Sequence, residues 1–264
     1  MAEERQSLVW PELIERIRAR TPARILVNRS GPAYLTSTQL ELRRAHAAAR
    51  DAVRDELNLA RDLSDDFVRQ WKLFEISTLA SSKDEYLMRP DLGRRLSDAA
   101  RDSLARCPLN TDLQLVIGDG LSVTAVATHV PQLLPRIFAG AAQRGWKIGQ
   151  PFVIRHCRVG VMNETGELLD PKVMVLLIGE RPGLATAESL SAYMAYRPRS
   201  GHNDAQRNLI SNIHSRGVSV EAGAERIINL ADQMMRLQSS GVQIKEQLSG
   251  LRLPKTEPSL SGDQ

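Results

Sequence analysis

The stretch 173–184, "VMVLLIGERPGL", decides how this sequence is read. Six apolar residues, Val173 to Ile178, run without a polar interruption. A half-buried strand would alternate, so an unbroken run predicts a strand covered on both faces, as in parallel sheets. The run then stops on Gly179, Glu180, Arg181, Pro182 and Gly183. Pro182 fixes its own φ and stiffens the turn. In an open α/β sheet the carboxyl ends of the strands face the ligand, so a buried strand ending in a rigid polar turn raises the question of what sits in front of it.

Working outward, two neighbouring stretches have the same form. The strand predicted over 113–117 runs into "IGDGLS" (117–122), and the one over 151–159 runs into "CRVG" (157–160). A fourth strand is predicted over 189–198, carrying Tyr193 and Tyr196. The polar stretch 205–217, "AQRNLISNIHSRG", reads as a short helix or a strand edge. The helix after "GDGLS" meets Pro131 and Pro135, which should break or kink it. Residues 221–241 form an amphipathic helix with a glycine at its end. Strands alternating with helices predict an α/β fold, a Rossmann-like doubly wound and mostly parallel sheet over 106–245. The turns 118–122, 157–160 and 179–184 then share its ligand-binding edge.

Residues 1–105 read as a helix-rich N-terminal segment with short strands, suited to docking a partner. Over 38–60, Leu40, Ala47, Val53 and Leu57 share a helical face, with N-caps available between Thr36 and Thr38. Strands are predicted over 23–28 and 72–78. A helix over 89–104 would open with Pro90 and Asp91 at its positive end. The tail 246–264 is rich in proline, serine and charge and reads as disordered.

The 264 residues, 42% hydrophobic and 25% charged, suit one large soluble domain or two small ones. A net charge of +4 from 35 basic and 31 acidic residues is a small excess, and 4% aromatic content leaves few stacking platforms, which argues against nucleic acid as a partner. No apolar stretch reaches the roughly 18 residues of a membrane span, and the start "MAEERQSLVWPEL" lacks a signal-peptide h-region. Cys107 and Cys157 have no C-x-x-C partner, so a cytoplasmic protein with reduced thiols is expected.

The candidate chemistry is sparse. Ser122 either caps the helix after "GDGLS", or that turn offers backbone N–H groups to a ligand. Asp119 would repel a phosphate there. In "GERPG", Arg181 either pairs with Glu180 within the turn or serves as a donor to a polar ligand. His46, His129, His156, His202 and His214 have no metal-ligand spacing. G-x-S-x-G, P-loop and S-x-x-K motifs are absent. Residues alone thus give a ligand-binding α/β domain without visible catalytic machinery, as expected of a subunit whose partner does the chemistry. A stand-alone nucleotide-binding or regulatory module, or a purely structural subunit, stays open.

Several segments together resemble the small (light) subunit of ethanolamine ammonia-lyase: "RTPARILVNRSGP" (20–32), "HAAARDAV" (46–53), "DEYLMRPDLGRRL" (84–96), "IGDGLS" (117–122), "LLPRIFAG" (133–140), "GERPGLATAESLSAYMAYRPR" (179–199), "ISNIH" (210–214) and "ADQMMRLQSSGV" (231–242). The resemblance implies an adenosylcobalamin enzyme that turns ethanolamine into acetaldehyde and ammonia by radical rearrangement. It implies a large subunit, a TIM barrel holding ethanolamine and most of the catalytic residues, in a complex of six large and six small chains. No catalytic residue is then expected in this chain. Family corrin contacts fall on Val159, Glu180 and Leu209, the last replacing a cysteine that often precedes "ISNIH". Arg158 and Arg181 flank the first two and could donate to corrin amides or to the phosphate of the nucleotide loop. No histidine has an aspartate two residues earlier, so the D-x-H-x-x-G motif is absent and base-on binding is expected. Such enzymes occur free in the cytosol or inside a protein-shelled bacterial microcompartment.

Overall fold

The structure, a computed structural model, describes residues 10–19, 24–27, 29–183 and 186–246. The N-terminal segment supplies α1 (Trp10–Ala19), a small hairpin of β1 (Arg29–Ser30) and β2 (Ala33–Tyr34), then α2 (Thr36–Arg54), α3 (Leu59–Leu63), α4 (Asp65–Trp71), β3 (Glu75–Ser77), α5 (Lys83–Met88) and α6 (Asp98–Leu104). The remainder runs β4 (Leu113–Gly118), α7 (Val123–Gln143), β5 (Phe152–Arg155), α8 (Val161–Leu169), β6 (Val173–Gly179), β7 (Leu190–Tyr196), β8 (Asn208–Ile213) and α9 (Val220–Leu237). Among the described residues no helix is long and apolar enough to cross a membrane.

One mixed six-stranded sheet, ordered β3-β5-β4-β6-β7-β8, organises the α/β fold. The run that opened the sequence is its central strand, and every residue of β6 is buried. Val173, Val175 and Leu177 enter the apolar core built with α7 and α9, while Met174, Leu176 and Ile178 enter the core built with α6 and α8. Burial on both faces is why β6 needs no polar alternation. β4 divides in the same way, with Leu113, Leu115 and Ile117 on one side and Val116 on the other.

The parallel pairings stop at β6. β3, β5, β4 and β6 are parallel neighbours, whereas β6–β7 and β7–β8 are antiparallel. A parallel return needs a crossover of about a dozen residues, usually with a helix. Among the described residues no helix separates β6 from β7, and only a short 3-10 turn (Asp204–Gln206) separates β7 from β8. The chain therefore doubles back twice. The stretch left open as helix or edge is the edge strand β8.

Several local expectations change. Over 24–27 there is no strand, and the other residues of that predicted strand, 23 and 28, lie outside the described residues. The helix predicted over 89–104 is interrupted: a 3-10 turn (Leu92–Arg94) is followed by extended chain, and α6 starts only after Ser97, which caps Ala100 N–H at 3.2 Å. Leu96, fully buried, forms a strand bridge to Thr78, and that requires extended backbone. In α2 no residue is buried, Leu35 precedes it without a side-chain cap, and Leu57 reaches the core only beyond the helix end.

Pro131 and Pro135 do not break α7, which continues from Val123 to Gln143. Each proline costs about 3 kcal/mol inside a helix. Against that stand the buried Val126, Val130, Leu133, Leu134 and Ile137, each worth about 1.5–3 kcal/mol. The prolines sit four residues apart on the partly exposed flank, so burial wins. The end of α9 is capped by left-handed Gln238 rather than by Gly241. The predicted tail lies outside the described residues from 247 onward.

Candidate functional site

Three strand ends and two loops converge at one edge of the sheet. At the end of β4, Ser122 caps α7 by accepting the Ala125 N–H at 3.1 Å. Asp119 does not face outward: it is 0% exposed, and the Lys83 ammonium donates to its Oδ1 at 3.1 Å and to the Gly120 carbonyl at 2.8 Å. The turn is thus pinned from behind by α5, and only Leu121 of it reaches the cleft in front. The charge that seemed to forbid an anion is spent on the buried lysine.

At the end of β5 the chain turns through His156, which has a left-handed φ of 51°. The next residues are held from several sides. The Cys157 N–H donates to the Asp119 carbonyl at 2.8 Å, the Tyr86 hydroxyl donates to the Cys157 carbonyl at 3.1 Å, and the Arg158 N–H donates to the Gly93 carbonyl at 2.8 Å. Burial pushes both the Tyr86 phenol and the Cys157 thiol up, so both stay protonated near neutral pH. The Arg158 guanidinium lies over the Tyr86 ring, 4.2 Å from its centroid.

At the end of β6, Gly179 allows two turns to touch: a Cβ there would lie 2.0 Å from the Ser122 carbonyl oxygen. Glu180 follows. Its Oε1 accepts the Ser191 hydroxyl at 2.6 Å and the Asn212 N–H at 3.1 Å, tying β6 to β7 and β8. Glu180 therefore does not pair with Arg181 within the turn. Arg181 is exposed at the cleft.

All five residues singled out in the sequence, Arg158, Val159, Glu180, Arg181 and Leu209, line one cleft of about 430 Å³. Val159 and Leu209 give it apolar surface together with Leu121 and Ile178; Glu180 and the two arginines give it charge. Its floor was not read from the sequence. Ser191 and Tyr193 of β7 and Ser211 of β8 also line it, next to Leu209. These alternate along their strands, so they share one sheet face, and Tyr193 lies opposite Leu209 in the register. One serine in each strand, Ser191 two residues before Tyr193 and Ser211 two residues after Leu209, was the available signal. An apolar surface edged by fixed donors and acceptors suits a broad, flat ligand with a polar rim. The cleft is open and far too small to enclose such a molecule, so it offers one side of a site.

A sequence profile of the ethanolamine ammonia-lyase light chain matches residues 11–245. The ethanolamine ammonia-lyase small subunit of Clostridium perfringens is 41% identical over 231 residues, covering 87% of this chain and 76% of that protein. The small subunit of Clostridium acetobutylicum is 39% identical over 236 residues, covering 89% and 95%. That of Pseudomonas syringae pv. tomato is 40% identical over 245 residues, covering 90% and 83%.

Proposed function

This chain belongs to the ethanolamine ammonia-lyase light-chain family, and from that premise we propose that it closes one side of an adenosylcobalamin site whose other side is a large catalytic subunit. The observation that carries this is the convergence of Arg158, Val159, Glu180, Arg181 and Leu209 on a single open cleft. The residues fit the group. A corrin is a broad apolar ring rimmed with amides, and Val159, Leu121, Ile178 and Leu209 would meet its apolar surface. Arg158 and Arg181 are donors for amide carbonyls. Leu209, 45% exposed, offers apolar contact and backbone groups in place of the cysteine that the family resemblance implies there.

When bound, adenosylcobalamin supplies a carbon radical by homolysis of its Co–C bond. The residues of this chain hold and shield. Glu180 keeps β6, β7 and β8 in register beneath the ligand, and the Tyr86–Arg158 stack stiffens the opposite wall. A ring pressed between two chains excludes water from a reactive intermediate. We assign the amine-bearing substrate, ethanolamine, and its conversion to acetaldehyde and ammonia to the large subunit, in an assembly of six large and six small chains with the cofactor base-on. We also take β3-β5-β4-β6, with helices on both faces, for a Rossmann-like doubly wound core extended by β7 and β8.

The test is reconstitution. This chain and a large subunit, purified separately and mixed with adenosylcobalamin and ethanolamine, should release acetaldehyde only when both chains are present. A soluble, folded mixture that neither turns over ethanolamine nor binds cobalamin would overturn the proposal.

A further inference from the structure

The connection from β6 to β7 brings Arg181 to the cleft, and the first turns of α7 grip that connection outside the cleft. Two side chains do so. The Ser122 hydroxyl donates to the Ala187 carbonyl, and His129 Nε2 meets the Glu188 carbonyl at 2.8 Å. A carbonyl oxygen only accepts, so Nε2 carries the proton and donates. Positions 122 and 129 are seven residues apart, about two helical turns, so both fall on one side of α7. They take consecutive carbonyls of the limb that returns to β7.

That limb is tied in turn to the one bearing Arg181. The Glu188 N–H donates to Thr186 Oγ1 at 3.1 Å, and the Gly183 N–H donates to the Thr186 carbonyl at 2.9 Å. Pro182, between Gly183 and Arg181, has a fixed φ and passes the constraint on. At the base, the Glu180 N–H donates to the Ser189 carbonyl at 2.9 Å. Arg181 itself makes no hydrogen bond or ion pair among the described residues, so its placement comes from the backbone beneath it. His129 is 5% exposed, on a stretch of α7 where Ala125, Val126, Val130 and Leu133 are buried. Packing alone would favour an apolar residue there. A buried imidazole needs a partner, and the partner it has is this connection.

We infer that His129 is a positioning residue for the cofactor cleft: its bond to the Glu188 carbonyl fixes the backbone from which Arg181 reaches the amide rim of the ring. His129 is not among the residues that line the cleft, so it acts through the connection and touches no ligand. The inference rests on the cobalamin reading above. It makes the effect of His129 conditional on Arg181, which a general contribution to folding would not be.

The test is a double-mutant cycle on the assembled large and small subunits, with adenosylcobalamin binding read by equilibrium dialysis at about pH 8, where an ordinary histidine is neutral. His129→Leu removes the donor and should weaken binding about fivefold, the worth of one neutral hydrogen bond. His129→Gln keeps an N–H that reaches the same carbonyl and should bind close to wild type. Arg181→Gln should weaken binding about tenfold, the worth of one charge-assisted contact. In the Arg181→Gln background His129→Leu should cost less than about twofold more, whereas with Arg158→Gln, on the turn after β5, the two losses should multiply. His129→Asn, too short to reach the Glu188 carbonyl, carries the same cycle if the leucine variant does not fold. No loss in His129→Leu, a full loss in His129→Gln, or losses that multiply with Arg181→Gln as they do with Arg158→Gln would overturn the positioning role and leave the ring site standing. Wild-type affinity in Arg181→Gln would overturn it too, since the connection would then place no contact. Failure of the wild-type complex to bind adenosylcobalamin overturns the cobalamin reading itself.

Discussion

The Lys83–Asp119 pair is the most exacting test of how the cleft is supported. Lys83 is 6% and Asp119 0% exposed at the side chain, and the ammonium also holds the Gly120 carbonyl. Lys83→Met keeps the stem and its helix propensity and removes the charge. Asp119, whose Oδ2 already lacks a partner among the described residues, would then be a buried carboxylate with no counter-charge. Breaking such a pair costs about 3–5 kcal/mol. Urea titrations of wild type and Lys83→Met should show that loss, and adding Asp119→Asn, which removes the uncompensated charge, should recover part of it. A loss below ~1 kcal/mol would refute the idea that this pair is desolvated and holds the turn.

Other outcomes follow from the same geometry. Glu180→Ala leaves the Ser191 hydroxyl and the Asn212 N–H without their acceptor and should cost about 1–3 kcal/mol in a urea titration and weaken cobalamin binding. Glu180→Gln keeps an acceptor oxygen and should lose much less on both measures. Gly179→Ala drives a Cβ against the Ser122 carbonyl; a loss of about 1–3 kcal/mol in urea and a weaker cofactor complex in dialysis are expected. His129 is buried, and desolvation, reinforced by His214 and opposed by the Glu188 carbonyl contact, holds its pKa below the ordinary histidine value. A lowered folded pKa means that the unfolded state takes up the proton first, so stability is lost as pH falls below ~6.5. The unfolding midpoint should drop between pH ~7.5 and ~5.5 in the wild type and drop less in His129→Gln.

The α/β class, the central buried strand and the ends of the strands that border the cleft are legible in local sequence. Those features are local: an unbroken apolar run can satisfy its side chains only between two packed layers, and Gly-Glu-Arg-Pro-Gly cannot continue a strand. Resemblance carried the rest, naming Val159, Glu180 and Leu209 from segments that are far apart along the chain. What the tertiary structure alone decided depends on partners distant in sequence. Asp119 reads as an outward charge until Lys83, 36 residues earlier, is seen beneath it. Glu180 and Arg181 read as a pair until β7 and β8 supply Ser191 and Asn212. The direction of β7 and β8 was likewise hidden, because strand composition reports burial and says nothing about which way the chain runs; the helix-free connections set it. The cleft arises where this antiparallel extension meets the ends of β5 and β6, a juxtaposition no single segment encodes.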